Sequence, residues 1–158
     1  MSEQTTSYRS KSAPDTMKSA GLRMIEYCDS LEGIQPCHLG GFFVGWPNPP
    51  SPETHLRLLQ NSALVEIAWD AEAAAVVGFI TALTDGVLAA YIPLLEVLPA
   101  YQGQGIGSEL ARRMIARLRS LYMVDLLCDP ELQPFYARLG MAPAGGMAMR
   151  NYERQSGT

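Results

Sequence analysis

Three glycines stand at alternate positions in Gln102-Gly103-Gln104-Gly105-Ile106-Gly107, and Ser108 follows. The run lies between an apolar, strand-like stretch and a segment with helical spacing. Glycines there let the chain turn sharply and leave N–H groups unpaired and pointing one way. The helix N-terminus adds partial positive charge. The chemistry on offer is capture of a phosphate or pyrophosphate. Two other readings compete. A tight turn that binds nothing needs one glycine, and three argue against it. A dinucleotide fingerprint is begun by Gly103-x-Gly105, but Ser108 stands where its third glycine belongs. Pro99–Gln102 also separates the strand from the first glycine. The sequence contains neither a P-loop nor a G-x-S-x-G elbow.

Proton-moving groups come next. Glu96 is the carboxylate of an otherwise apolar run, and an unpaired buried carboxylate is costly. It is either a base of raised pKa or a structural group paired with an arginine or a main-chain N–H. A period of two places Tyr91, Pro93, Leu95 and Val97 on one face and Glu96 on the other. Only a bulge would turn it round. Arg112 and Arg113 either reach a phosphate or form a solvated face, and the second is favoured. Cys128 reads as packed rather than reactive. Cys37-His38 lacks further ligands, and with two histidines in the chain no metal is assigned.

The glycine run resembles the [Arg/Gln]-x-x-Gly-x-[Gly/Ala] signature of the GNAT family of acyl-CoA N-acetyltransferases. Val97-Leu98-Pro99 matches the V-x-P that leads into it. Phe135-Tyr136-Ala137-Arg138-Leu139-Gly140-Met141 looks like that family's FYxKxGF segment. Asp129 departs from the family, which commonly has Asn there. The resemblance covers roughly residues 63–152, the first part in element order only.

The resemblance implies an α/β fold with a mixed, mostly antiparallel sheet flanked by helices. It implies acetyl-CoA as co-substrate, with the fourth strand splayed from the fifth and the pantetheine arm in the gap. Main-chain groups of Leu95 and Val97 would pair with that arm like an added strand. Gln102, Gly103, Gln104, Gly105, Ile106, Gly107 and Ser108 would hold the pyrophosphate. Tyr136 becomes the candidate general acid for the departing thiolate, against the alternative of a core aromatic. Glu96 is the candidate base. Tyr91, on the face the family uses, is the alternative acting through water. Phe43 and Trp46, with Phe42, would wall the acceptor pocket, or else merely anchor their loop.

These groups need elements to position them. Leu22–Cys28 reads as a first strand. Ser51, Pro52 and Glu53 open a short helix as N-cap, first helical residue and first-turn acid. Residues 63–69, 74–83 and 87–98 read as a three-strand meander with turns at 70–73 and 84–86. Residues 105–120 place Ile106, Leu110, Met114, Ile115 and Leu118 at helical spacing. A strand over 122–128, a helix from Asp129 to Gly140 and a last strand over 147–152 complete the order.

The chain has 158 residues, 47% of them hydrophobic, which suits one domain with its own core. We expect a flexible tail over residues 1–20 and the acetyltransferase domain over 21–155. A net charge of −4 without a basic stripe argues against nucleic acid. The apolar runs fall short of the roughly 18 residues a membrane span needs. Three scattered cysteines and no secretory leader point to the cytoplasm. The partner is then a small-molecule or peptide amine, and a homodimer is left open. A non-catalytic acyl-CoA sensor on the same fold is the alternative to an enzyme.

Overall fold

The computed structural model describes residues 24–157. The expected tail, residues 1–20, lies outside them, as do Leu22 and Arg23 of the expected first strand. Five strands form one sheet: β1 (Ile25–Cys28), β2 (Leu64–Asp70), β3 (Ala75–Thr84), β4 (Ala89–Val97) and β5 (Met123–Asp125). They lie in chain order. The first three pairings are antiparallel and β4–β5 is parallel. A parallel pairing needs a crossover, and helix α2 (Ile106–Leu118) supplies it.

The meander forms where its turns are satisfied locally. Asp70 Oδ1 accepts the N–H groups of Glu72 and Ala73 at 2.9 and 3.1 Å. Asp85 Oδ1 accepts those of Val87, Leu88 and Ala89 at 2.8, 2.8 and 3.1 Å. Helix α1 (Pro52–Gln60) starts as expected, with Ser51 Oγ accepting from the N–H of Thr54 at 3.2 Å.

Each face of the sheet carries its own core. On one, the α2 stripe Ile106, Leu110, Ala111, Met114 and Leu118 packs on Ala68, Val77, Ile80, Ala90 and Ile92. On the other, α1 and the loop before it lay Leu39, Phe43 and Leu59 over Val65, Ile67, Val76 and Phe79. Strand β4 contributes to both, and a bulge decides which residue goes where. Tyr91 pairs with Leu83, Leu94 with Thr81 and Glu96 with Phe79. Three steps along β4 oppose two along β3, so β4 carries one extra residue between Tyr91 and Leu94. Tyr91, Leu94 and Glu96 therefore share the α1 face, while Ile92 and Leu95 pack on the α2 side. This corrects the strict period of two, which separated Tyr91 from Glu96.

The last third of the chain differs from expectation in three ways. The strand over 122–128 shrinks to Met123–Asp125, because β5 diverges from β4 after Tyr91 and a strand needs a ladder. The helix from Asp129 splits into a 3₁₀ turn, Pro130–Leu132, and a short α3 (Gln133–Ala137). Residues 147–152 form no strand; a 3₁₀ turn, Tyr152–Arg154, ends the described chain. Met147 and Met149 alternate as a strand would, but both are exposed and no described residue forms a ladder with them.

Candidate active site

Strand β4 leads through a 3₁₀ turn, Pro99–Tyr101, into the glycine run. Gly103 and Gly105 hold φ of +74° and +84°, the left-handed region that disfavours a side chain. Gly105 is the N-cap of α2, and no side chain caps that helix. The N–H groups of Ile106, Gly107 and Ser108 thus begin a helix without intrahelical partners. Gln102 Nε2 donates to Val97 O at 2.9 Å and Gln104 Nε2 to Ala100 O at 3.2 Å. Both amides brace the turn, which leaves main-chain groups to face a ligand. The Ile106 side chain is buried in the α2 core, so only its N–H faces the turn. Arg112 and Arg113 are both tied to Glu109, at 2.7 and 2.6 Å, as a solvated face would be.

An open strand edge adjoins the turn. β5 pairs with Ala89, Ala90 and Tyr91, so among the described residues β4 beyond them has no strand neighbour on that side. The N–H of Leu98 donates inward to Val77 O at 2.9 Å. By alternation the main-chain groups of Val97 and Leu95 point outward, to the open edge, where the Gln102 amide already bonds Val97 O. A peptide-like arm fits that edge, and the unpaired N–H groups of the turn fit an anionic group beyond it.

Tyr136 sits on α3, half-buried, with Phe135 edge-on at 4.8 Å. It lines a 610 Å³ cavity with Tyr91, Asp125, Cys128 and Gly140. Burial raises its pKa above the ordinary 10.0, and Cys128 adds to the rise. The hydroxyl is therefore protonated at neutral pH and can give a proton away.

Glu96 lies on the opposite side of β4 from the α2 core. Its Oε2 accepts the main-chain N–H of Phe43 at 2.8 Å. Burial raises its pKa, and the Phe43 hydrogen bond pulls the other way. Phe43 itself is buried at φ +60°. With Trp46, edge-on at 5.1 Å, it lines a second cavity of 370 Å³ beside Leu94. The structure thus brings Glu96, Phe43 and Trp46 to one side of β4, and Tyr91 joins that face. Among the described residues no cluster of three or more metal-ligating side chains exists.

Two features had no signal in the sequence. Tyr101, in the lead-in to the glycine turn, donates its hydroxyl to buried Asp70 Oδ2 at 2.8 Å. This ties the turn to the β2–β3 hairpin, 31 positions away. His55 on α1 is buried among Phe42, Phe43 and Phe79, with ring centroids at 5.1, 4.9 and 4.5 Å. Neither of its ring nitrogens makes a hydrogen bond of good geometry.

Residues 31–141 match the model of the acetyltransferase (GNAT) family, and the chain belongs to that family of acetyltransferases. Acetyl-CoA is the donor this family generally uses. An uncharacterized N-acetyltransferase of Pyropia yezoensis, ycf52, is 28% identical over 116 residues, 70% of this chain and 67% of the relative. A crystal structure from Deinococcus radiodurans R1, provisionally named an acetyltransferase, is 50% identical with a TM-score of 0.81. It matches 84% of this chain and 92% of its own. A GNAT family acetyltransferase from Streptococcus pneumoniae is 29% identical, with a TM-score of 0.61, over 81% of this chain and 97% of its own. The five-stranded mixed sheet with flanking helices is the fold of these neighbours. No helix among the described residues is long and apolar enough to cross a membrane.

Proposed function

We propose that this protein moves the acetyl group of acetyl-CoA directly to a primary amine of a small molecule or peptide. The observation that carries this reading is one continuous surface: the outward main chain of Leu95 and Val97 runs into the glycine turn at Gly103 and Gly105. The N–H groups of Ile106, Gly107 and Ser108 would hold the pyrophosphate, and Leu95 and Val97 the pantetheine amides. Acetyl-CoA supplies a thioester as the activated acyl group.

The protein's part is alignment and two proton transfers. Glu96 takes the proton the amine must lose as its nitrogen bonds to the acyl carbon. Its raised pKa brings a carboxylate nearer to that task. Tyr136 gives its phenolic proton to the sulfur as the carbon–sulfur bond breaks, and solvent restores it. Tyr91, on the face of Glu96, offers a water-linked route for the amine proton.

The test pairs calorimetry with turnover. Acetyl-CoA should bind saturably, and free thiol should appear only when an acceptor amine is added. Tight acetyl-CoA binding with no turnover on any amine of a broad panel would favour the sensor over the enzyme. No acetyl-CoA binding would remove both.

A further inference from the structure

We propose that the 370 Å³ cavity beside Leu94 holds the apolar body of a monoamine acceptor, and that the C-terminal residues Gln155–Gly157 form its outer wall. The inference rests on the acyl-transfer reading above and adds the class of acceptor. Phe43, Trp46, Leu58 and Leu94 supply an aromatic and aliphatic lining. Leu94 and Glu96 are alternate residues on the same face of β4, so the apolar floor runs toward a carboxylate. Apolar walls with one carboxylate beyond them suit an ammonium group on an apolar body. Among the described residues that line the cavity none is acidic, and the one charged group is Arg57. A second positive charge on the acceptor would therefore meet Arg57 rather than a counter-ion.

The wall comes from the far end of the sequence. The N–H of Asn48 donates to Gln155 Oε1 at 3.0 Å, across 107 positions. Arg57 Nη2 donates to Gly157 O at 3.1 Å, across 100 positions. Gly157 holds φ +78°, and a Cβ there would come within 2.9 Å of Thr54 Cγ2. Both Gln155 and Gly157 line the cavity. The tail is thus seated on the loop before α1 and on α1 itself, the two elements that carry Trp46 and Leu58.

The test reads Trp46 directly. The chain has two tryptophans, so the full-length protein with Trp69→Phe leaves Trp46 as the sole tryptophan, read by excitation beyond tyrosine absorption. With coenzyme A present, 2-phenylethylamine is titrated against spermidine. We expect saturable fluorescence change with 2-phenylethylamine and at least roughly tenfold weaker binding of spermidine. Gln155→Ala, and separately a chain ending at Tyr152, should each weaken 2-phenylethylamine about tenfold through lost wall contact. Acetyl-CoA affinity by calorimetry should stay unchanged in both. If the shortened chain does not fold, Gln155→Ala decides alone. Spermidine binding as tightly as 2-phenylethylamine, or no saturable signal with the latter, overturns the acceptor class. Unchanged affinity in the folded tail variants overturns the wall. Saturable 2-phenylethylamine binding with no amine acetylated on any panel, in a protein that binds acetyl-CoA, keeps the cavity and its wall and removes the transfer reading instead.

Discussion

The carboxylate of Glu96 accepts the main-chain N–H of Phe43, 53 positions earlier, at 2.8 Å. Phe43 holds φ +60°, a conformation that costs a side-chain-bearing residue of order 1 kcal/mol or more. A hydrogen bond to a charged acceptor is worth about 1.5–3 kcal/mol, enough to offset it. The same bond pins the aromatic loop over β4, where it walls the cavity beside Leu94. Glu96 is therefore an anchor by geometry, whatever its part in the chemistry.

Glu96→Gln separates the two parts, because the amide oxygen can still accept from Phe43. The variant should fold with a melting temperature near wild type, and kcat/KM should fall by roughly 10²-fold, the scale of a lost general base. Burial raises the wild-type pKa, so the acidic limb of its kcat/KM profile should lie above the ordinary carboxylate value of 4.5. That limb should vanish in the variant. Wild-type kcat/KM with an unaltered profile would leave Glu96 as an anchor only.

Tyr136→Phe removes the hydroxyl and keeps the ring against Phe135. Acetyl-CoA affinity should hold while kcat falls by ~10²-fold. Burial and Cys128 hold the hydroxyl protonated well into alkaline solution, so any alkaline limb due to Tyr136 should lie above pH 10.0. Equal turnover of the two proteins on a good acceptor would assign thiolate protonation to water.

Acetyl-CoA should raise the melting temperature, because a ligand of the native state stabilises it. Gly105→Glu should abolish the rise, but it also strains a left-handed position. Ser108→Glu avoids that strain. An acid in the first helical turn favours the helix by about 0.3–1 kcal/mol, so the free protein should melt no lower. The rise with acetyl-CoA should nevertheless disappear, since on the proposed site the new charge would face the pyrophosphate. Undiminished calorimetric affinity in Ser108→Glu would remove the phosphate-turn assignment.

His55 makes stability depend on pH. Burial among three phenylalanines lowers its pKa from 6.5 to about 4, against a smaller upward pull from the main chain of Leu39. The unfolded chain takes up the proton first, so stability falls as pH drops from 6.5 toward 4 and levels off below. Integrated over that window the loss is about 3 kcal/mol. Glu96, whose pKa is raised, works in the opposite sense at the acidic end. Chemical unfolding at pH 7 and pH 4.5 should show the loss in wild type and a much smaller one in His55→Leu.

Tyr101→Phe should cost about 1.5–3 kcal/mol of stability, the value of a hydrogen bond to a charged group. Asp70 is buried, and its carboxylate loses the hydroxyl donor. Because Tyr101 leads into Gln102, acetyl-CoA affinity should weaken as well. Denaturant unfolding and calorimetry on one preparation read both effects.

Much of this protein was legible in its residues. The meander followed from alternation and from Asp70 and Asp85 at the turns, and α1 and α2 from a cap and an apolar stripe. Such signals are local, and local groups satisfy them. The glycine run was legible for the same reason, since φ above zero at Gly103 and Gly105 is a property of the residue itself. Elsewhere the outcome depended on a distant partner. One extra residue in β4 put Tyr91 and Glu96 on one face, and only the register against β3 could decide that. Met147 and Met149 alternate as a strand does, yet among the described residues no neighbour completes a ladder there. Tyr101 meets Asp70, Glu96 meets Phe43, and Gln155 meets Asn48, across 31, 53 and 107 positions. Periodicity reports which way a side chain faces. Which group it finds there is fixed only when the whole chain has closed around it.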